Sequence, residues 1–219
     1  AEKMKVGTCL NPLHTALAVY GCLLGYTSIA AEMGDADLKA LVEHIAAESL
    51  PVVEDPGILS PRAFIDEVLH ERFPNPAIPD TPQRIAADTS QKLPVRYGGT
   101  LRRYARQSEQ ALAGLEFAPL VFAGWCRYLL GVDDRGNAMP VSPDPMLPQL
   151  QAHLKGIEVG RPDSLAGQLR PILSNAALFG VDLYAAGLGE RTEEMFRDML
   201  AGPGAVRATL HRNCACKQP

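Results

Sequence analysis

Apolar residues recur every three or four positions through most of this sequence, bounded by capping residues and prolines, and that restricts it to packed helices. After Asp35, the residues Leu38, Leu41, Val42, Ile45 and Ala46 form one such face, and Pro51 ends it soon afterwards. Ser60-Pro61 joins a hydroxyl cap to a proline, which at a helix start loses only a hydrogen bond that the first turn cannot make. Phe64, Ile65, Val68 and Leu69 then supply the core face. Asn11-Pro12 is the same device and starts a helix expected to run toward Met33. The segment 74–82 holds four prolines and is expected to be an ordered, extended connection, with helix again near 82–87. Further helices are expected over 101–112, 119–130, 144–154, 162–173 and 190–200. Strand patterns are scarce, and neither a fixed-period repeat nor a break in composition divides the chain. The expected fold is mostly α, a single multi-helical domain over 1–219.

At 219 residues and 47% hydrophobic the chain can bury a full core. A net charge of −4 gives no basic footprint, so nucleic acid is not an expected partner. Five scattered cysteines do not form a secreted disulfide framework, which points to the reducing cytoplasm. The apolar stretch 13–31 is interrupted by His14, Thr15, Tyr20, Thr27 and Ser28 and reads as a buried helix rather than a membrane span. Cys9 and Cys22 read as apolar fillers. His211, Cys214 and Cys216 are not at a usual zinc spacing, and no metal is expected. A nicotinamide enzyme needs a strand, a glycine-rich turn and a helix N-terminus to hold the pyrophosphate. Gly187-Leu188-Gly189 is the nearest candidate, but no strand leads into it and its third glycine is missing.

The stretch from Glu2 to Leu17 carries the chemistry. Asn11 and His14, three apart at a helix start, occupy neighbouring positions on one face, and Lys5 is expected to reach the same corner from a strand or loop. A partly desolvated lysine suits proton transfer to or from a hydroxyl. An amide donor can hold a developing alkoxide, and a neutral imidazole can orient a second hydroxyl. Taken singly, Asn11 is equally readable as a helix cap, His14 as a satisfied histidine and Lys5 as a surface cation.

Glu2-Lys3-Met4-Lys5 followed by Asn11-x-x-His14 resembles the signature of the polyol-specific long-chain dehydrogenases, the family of mannitol 2-dehydrogenase, fructuronate reductase and tagaturonate reductase. In that family the lysine precedes the asparagine by five residues; here Lys5 precedes Asn11 by six, which implies one inserted residue within 6–10. The tetrapeptide selects Lys5 as the catalytic equivalent, with Lys3 in reserve. The resemblance continues through Phe73-Pro74-Asn75-Pro76, through Arg84 and Lys92 eight residues apart, and through Trp125 to Asp133 with Asp144-Pro145, and it covers most of 3–147.

The resemblance implies a fold like the C-terminal domain of 6-phosphogluconate dehydrogenase, lacking the parent enzyme's Rossmann domain. It implies Lys5 as general base for alcohol oxidation and acid for ketone reduction, Asn11 as half of an oxyanion clamp, and His14, Arg84 and Lys92 as substrate binders. The cofactor, NAD or NADP, is expected to be held mainly by an N-terminal Rossmann domain outside this chain, so the chain alone is expected to be inactive. The expected substrate is a small sugar acid or polyol, fructuronate and mannonate before fructose and mannitol, with homo-oligomerisation left open. Two other readings stand beside this one: a non-catalytic helical dimerisation or interaction module, and a different dehydrogenase class with an all-helical second domain.

Overall fold

The computed structural model describes residues 3–215, and of Lys3 the backbone alone. The chain is helical from its first described residue: a π-helix, Lys3–Leu10, runs without a break into α1 (Asn11–Leu24). The short α2 (Ile29–Glu32) and the longer α3 (Ala36–Ser49) follow. Next, α4 (Pro61–Glu67) widens into a second π-helix, Val68–Arg72. The proline-rich connection leads to α5 (Pro82–Ile85), α6 (Thr89–Arg96), α7 (Gly98–Gln107) and α8 (Glu109–Ala113). The central α9 (Phe117–Tyr128) precedes α10 (Leu147–His153), α11 (Arg170–Leu173), α12 (Ala176–Phe179), α13 (Gly189–Met199) and α14 (Ala205–Cys214). No strand occurs among the described residues, only the isolated bridges Val132 to Ala138 and Glu158 to Arg161.

Helices α1 and α9 form the centre. All twelve residues of α9 are buried, as is nearly every residue of α1 from Pro12 to Leu23. Such all-round burial marks core helices rather than surface ones. They meet closely because Gly124 has no side chain: a Cβ there would lie 2.6 Å from the Tyr20 ring, whose hydroxyl donates to the Leu120 carbonyl at 2.6 Å. The carboxylate of Glu48 on α3 accepts from the backbone N–H groups of Glu116, Phe117 and Ala118, and so caps α9 from a neighbouring helix. Among the described residues no helix is long and apolar enough to cross a membrane.

The local signals held where a side chain caps a helix. Asp35 accepts from Asp37 and Leu38 N–H, and Ser60 from Ala63 N–H. They failed where the chain breaks without a proline. Helix α1 stops at Gly25 in the left-handed region, φ 84°, and Ser28 caps a new helix, so the run toward Met33 is two elements. The expected helix over 101–112 is split at the extended Ser108, and that over 162–173 is a 3-10 turn and a separate α11. Both α6 and α14 went unanticipated. Cys9 and Cys22 are buried, which pushes their thiols up to about 11 and about 12, away from nucleophilic chemistry.

Glu32 is fully buried, and neither of its carboxyl oxygens has a hydrogen-bond partner. It lies where a Cβ of Gly21 would stand, 2.1 Å from Oε1, which accounts for the glycine. Burial, with the nearby Asp35 charge, raises its pKa from 4.5 to about 9. The folded state therefore holds a proton that the unfolded chain releases above 4.5. The associated stability is fully present below that value and is lost as pH rises toward 9, at no more than about 1.4 kcal/mol per pH unit. Glu32→Gln is expected to flatten this dependence: between pH 6 and 8 the wild type loses roughly 2–3 kcal/mol that the variant keeps, measurable by urea unfolding. Parallel curves for the two proteins contradict the assignment.

Candidate active site

The π-helix Lys3–Leu10 explains how Lys5 and Asn11 remain in register. Each α residue turns the chain by about 100°. In a π-helix, with i→i+5 bonds and roughly 4.4 residues per turn, each turns it by about 82°. Six π steps therefore turn through about 490°, against about 500° for five α steps. The one extra residue between Lys5 and Asn11 is absorbed, and Lys5 keeps the angular relation to Asn11 that a five-residue spacing has in an α-helix. Lys5 thus comes from a helix, not from the strand or loop expected. Its Nζ sits 5.5 Å from the centroid of the Phe64 ring on α4, a cation–π distance.

Asn11 is not an N-cap. Leu10 before it is already helical, at φ −101° and ψ −56°. Pro12, which has no N–H to give, stands where the hydrogen bonding changes from π to α. Asn11 lies one turn before His14 on α1, while its carbonyl accepts from Thr15 Oγ1 at 3.0 Å.

His14 sits largely buried, its side chain 13% exposed and its ring stacked on Phe73 with centroids 5.2 Å apart. Its Nε2 lies 3.4 Å from Asp80 Oδ2 but makes no hydrogen bond. Burial lowers its pKa to about 4. Asp80 opposes that shift, and Arg96, Arg72 and Arg84 add to it. At neutral pH the ring is uncharged, as an orienting imidazole requires.

Arg84, mostly exposed, pairs with Asp80, so the acid that faces His14 also holds this guanidinium. Lys92, half-buried on α6, donates from Nζ to the Ile85 carbonyl at 2.8 Å; burial and then the Arg96 charge lower its pKa. The start of α6 is clamped from outside: Asp88 adopts φ 57° and donates its N–H to the Pro143 carbonyl, while Asp144 accepts from Ser90 N–H at 2.8 Å. That is the structural part played by Asp144-Pro145.

The arrangement brings His14, Arg84 and Lys92 into one electrostatic group, with Asn11 a turn away. Lys5 stands on the preceding π-helix, with no hydrogen bond or ion pair to them among the described residues. Beside that turn a cleft of about 610 Å³ opens between Gly7 and Thr8 on one side and Pro94, Val95 and Arg102 on the other.

Residues 2–194 match the family model described as the mannitol dehydrogenase C-terminal domain. The chain belongs to that family. It is 56% identical over 210 residues to D-mannonate oxidoreductase of Thermotoga maritima, covering 96% of this chain and 39% of that protein. It is 36% identical over 191 residues to mannitol 2-dehydrogenase of Emericella nidulans, covering 83% of this chain and 34% of the other. Mannitol 2-dehydrogenase of Pseudomonas fluorescens, solved as a ternary complex with NAD and D-mannitol, superposes with a TM-score of 0.80 at 27% identity, over 100% of this chain and 41% of that one. The chain thus spans about two-fifths of the length of these relatives.

Asp80, Phe73 and Arg96 join the candidate site, although the sequence reading gave none of them a role there. Asp80 lies one turn before Arg84 and Arg96 one turn after Lys92, so i,i+4 spacing from each basic residue was the available signal. The glycines at 187 and 189 serve close packing. Gly187 is packed on Ala113, Leu188 is fully buried and Gly189 lies against the Tyr184 ring. His211 turns to Asp37 at 2.8 Å and Cys214 is buried, while Cys216 lies outside the described residues.

Proposed function

We propose that this chain supplies the substrate-binding and proton-transfer part of a NAD(P)-dependent dehydrogenase that interconverts a keto-sugar acid and its aldonate, D-fructuronate and D-mannonate first, D-fructose and D-mannitol second. The observation that carries the proposal is the buried, uncharged His14. Its Nε2 makes no protein hydrogen bond, although Asp80 Oδ2 stands 3.4 Å away, it lies a turn from Asn11, and the charges of Arg96, Arg72 and Arg84 act on it. Buried ring nitrogens are normally satisfied, so an open one among polar groups suits a hydroxylated ligand. The names of the relatives, a D-mannonate oxidoreductase and mannitol 2-dehydrogenases, agree with that substrate class.

In this reading Lys5 takes the proton from the reacting hydroxyl in oxidation and returns it in ketone reduction. Asn11 donates to the developing alkoxide, so these two side chains fill the roles that a metal otherwise plays. His14, Arg84 and Lys92 engage the polar groups of the substrate beyond the reacting carbon. The register supplied by the π-helix favours Lys5 over Lys3. The described residues offer no dinucleotide cradle, so the cofactor is assigned to the remaining part of a longer protein, a Rossmann domain covering the face that exposes Val6 and Val95. The chain by itself is then inactive, and the enzyme works in the cytoplasm.

The test is ketone-dependent NADH or NADPH oxidation by the longer protein, with D-fructuronate, D-tagaturonate and D-fructose in parallel. Turnover is expected, with the highest kcat/KM on D-fructuronate. Failure of every ketone to consume either cofactor overturns the reading.

A further inference from the structure

Arg96 stands out among the arginines of the site. It ends α6, one turn beyond Lys92 on the same face, and is half-buried. Its Nη1 donates at 2.6 Å to Thr15 Oγ1, the hydroxyl next to His14 on α1, and Thr15 is itself buried and donates to the Asn11 carbonyl. The guanidinium is thus fixed beside the candidate site by a neutral group. No carboxylate pairs with it among the described residues. Arg84, Arg103 and Arg207 each have an acidic partner, and the fully buried Arg127 donates to three carbonyls. Arg96 has five N–H donors and uses one.

A desolvated cation without a counter-charge is costly, and a ligand carboxylate would offset that cost. The surroundings sharpen the choice of ligand. Lys92 lies close enough for the two charges to act on one another, and Arg72 and Arg84 bear on the same His14. Arg72, Arg84, Lys92 and Arg96 meet Asp80, Asp88 and Asp144 here, and with Asp80 taken up by Arg84 the corner keeps a small positive excess. A planar guanidinium with free parallel donors matches a carboxylate at two points, which a hydroxyl cannot offer.

We propose that Arg96, oriented by Thr15, receives the terminal carboxylate of a sugar-acid substrate and sets the preference for aldonate and uronate over neutral polyol and ketose. This rests on the dehydrogenase reading above and adds a specificity residue to it. Arg84, held by Asp80 and largely exposed, is then left to guide the substrate at the mouth of the site.

The experiment compares kcat/KM for D-mannonate and D-mannitol in the longer protein, as wild type, Arg96→Gln and Arg96→Lys. Loss of a charged hydrogen-bonding partner is expected to lower the ratio of D-mannonate to D-mannitol roughly 10- to 100-fold in Arg96→Gln. Arg96→Lys, which keeps the charge but not the fork, should fall between. An unchanged ratio, whether both substrates suffer equally or neither does, overturns the proposal and leaves Arg96 as a prop for α1. Calorimetric binding of D-mannonate to the same proteins separates the two levels of the argument. If the wild type turns over neither substrate the dehydrogenase reading fails, and Arg96 is then judged by whether Arg96→Gln weakens D-mannonate binding. Equal binding overturns it.

Discussion

Lys5→Ala, introduced into the longer protein, is expected to lower kcat for D-fructuronate reduction by about 10²- to 10⁴-fold while leaving KM within a few-fold, because proton transfer by a positioned side chain contributes on that order. The effect should fall on kcat because Lys5 takes no part in the group that gathers His14, Asp80, Arg84 and Lys92. Phe64, beneath the ammonium at 5.5 Å, loses one cation–π contact worth about 1 kcal/mol, so folding should survive. Lys3→Ala serves as the control. Steady-state kinetics of the two variants decide between the lysines, and a deeper loss in Lys3→Ala reverses the assignment.

The second large effect concerns stability. Arg127→Ala is expected to cost about 3–5 kcal/mol, enough to unfold many domains of this size. Arg127 is entirely buried on α9, and its guanidinium donates to the carbonyls of Val132 at 2.5 Å, Asp133 at 3.1 Å and Met199 at 3.3 Å. It ties the C-terminal end of α9 to the loop behind it and to the end of α13. Asp134 in the same loop caps α14 through the N–H groups of Val206 and Arg207, so loss of Arg127 also loosens the last helix. Helix α14 is also clamped to α3 by Arg207, bound to Asp35 and Asp37, by His211 on Asp37, and by His44 Nε2, 3.1 Å from the Cys214 carbonyl oxygen. Thermal or urea unfolding of the variant measures the loss. A loss under about 1 kcal/mol means that the carbonyls find water and that Arg127 is not the tie described.

The sequence told most where one side chain settles a backbone decision. Asp35 and Ser60 cap helices because their oxygens accept the first free N–H groups, and both are legible as residues. The same rule misread Asn11, since a cap and the first residue of a continuing helix look alike when Pro12 follows. What separates them is the π-helix, and apolar periodicity over eight residues does not distinguish a π turn from an α turn. Helix α6 was hidden by Pro94 within it, and α14 by its polar face, where Thr209, buried with its hydroxyl on the Ala205 carbonyl, takes the place of an apolar residue. At the site, Lys5, Asn11, His14, Arg84 and Lys92 came from a motif and its continuation. Asp80 lies in the proline-rich connection before Arg84, and pairing in space rather than by motif gives it meaning. Arg96 shows itself only once α6 is known to be a helix lying along α1.

The central claim, that Lys5 moves the proton, is tested most directly by chemical rescue. Methylamine and ethylamine are added to the Lys5→Ala form of the longer protein, and D-mannonate oxidation is followed through NADH formation. Rates should rise with amine concentration and follow the basicity of the amine, with no such recovery in His14→Ala. A folded Lys5→Ala protein that still binds D-mannonate yet gains nothing from any amine contradicts the assignment and returns the proton to another group.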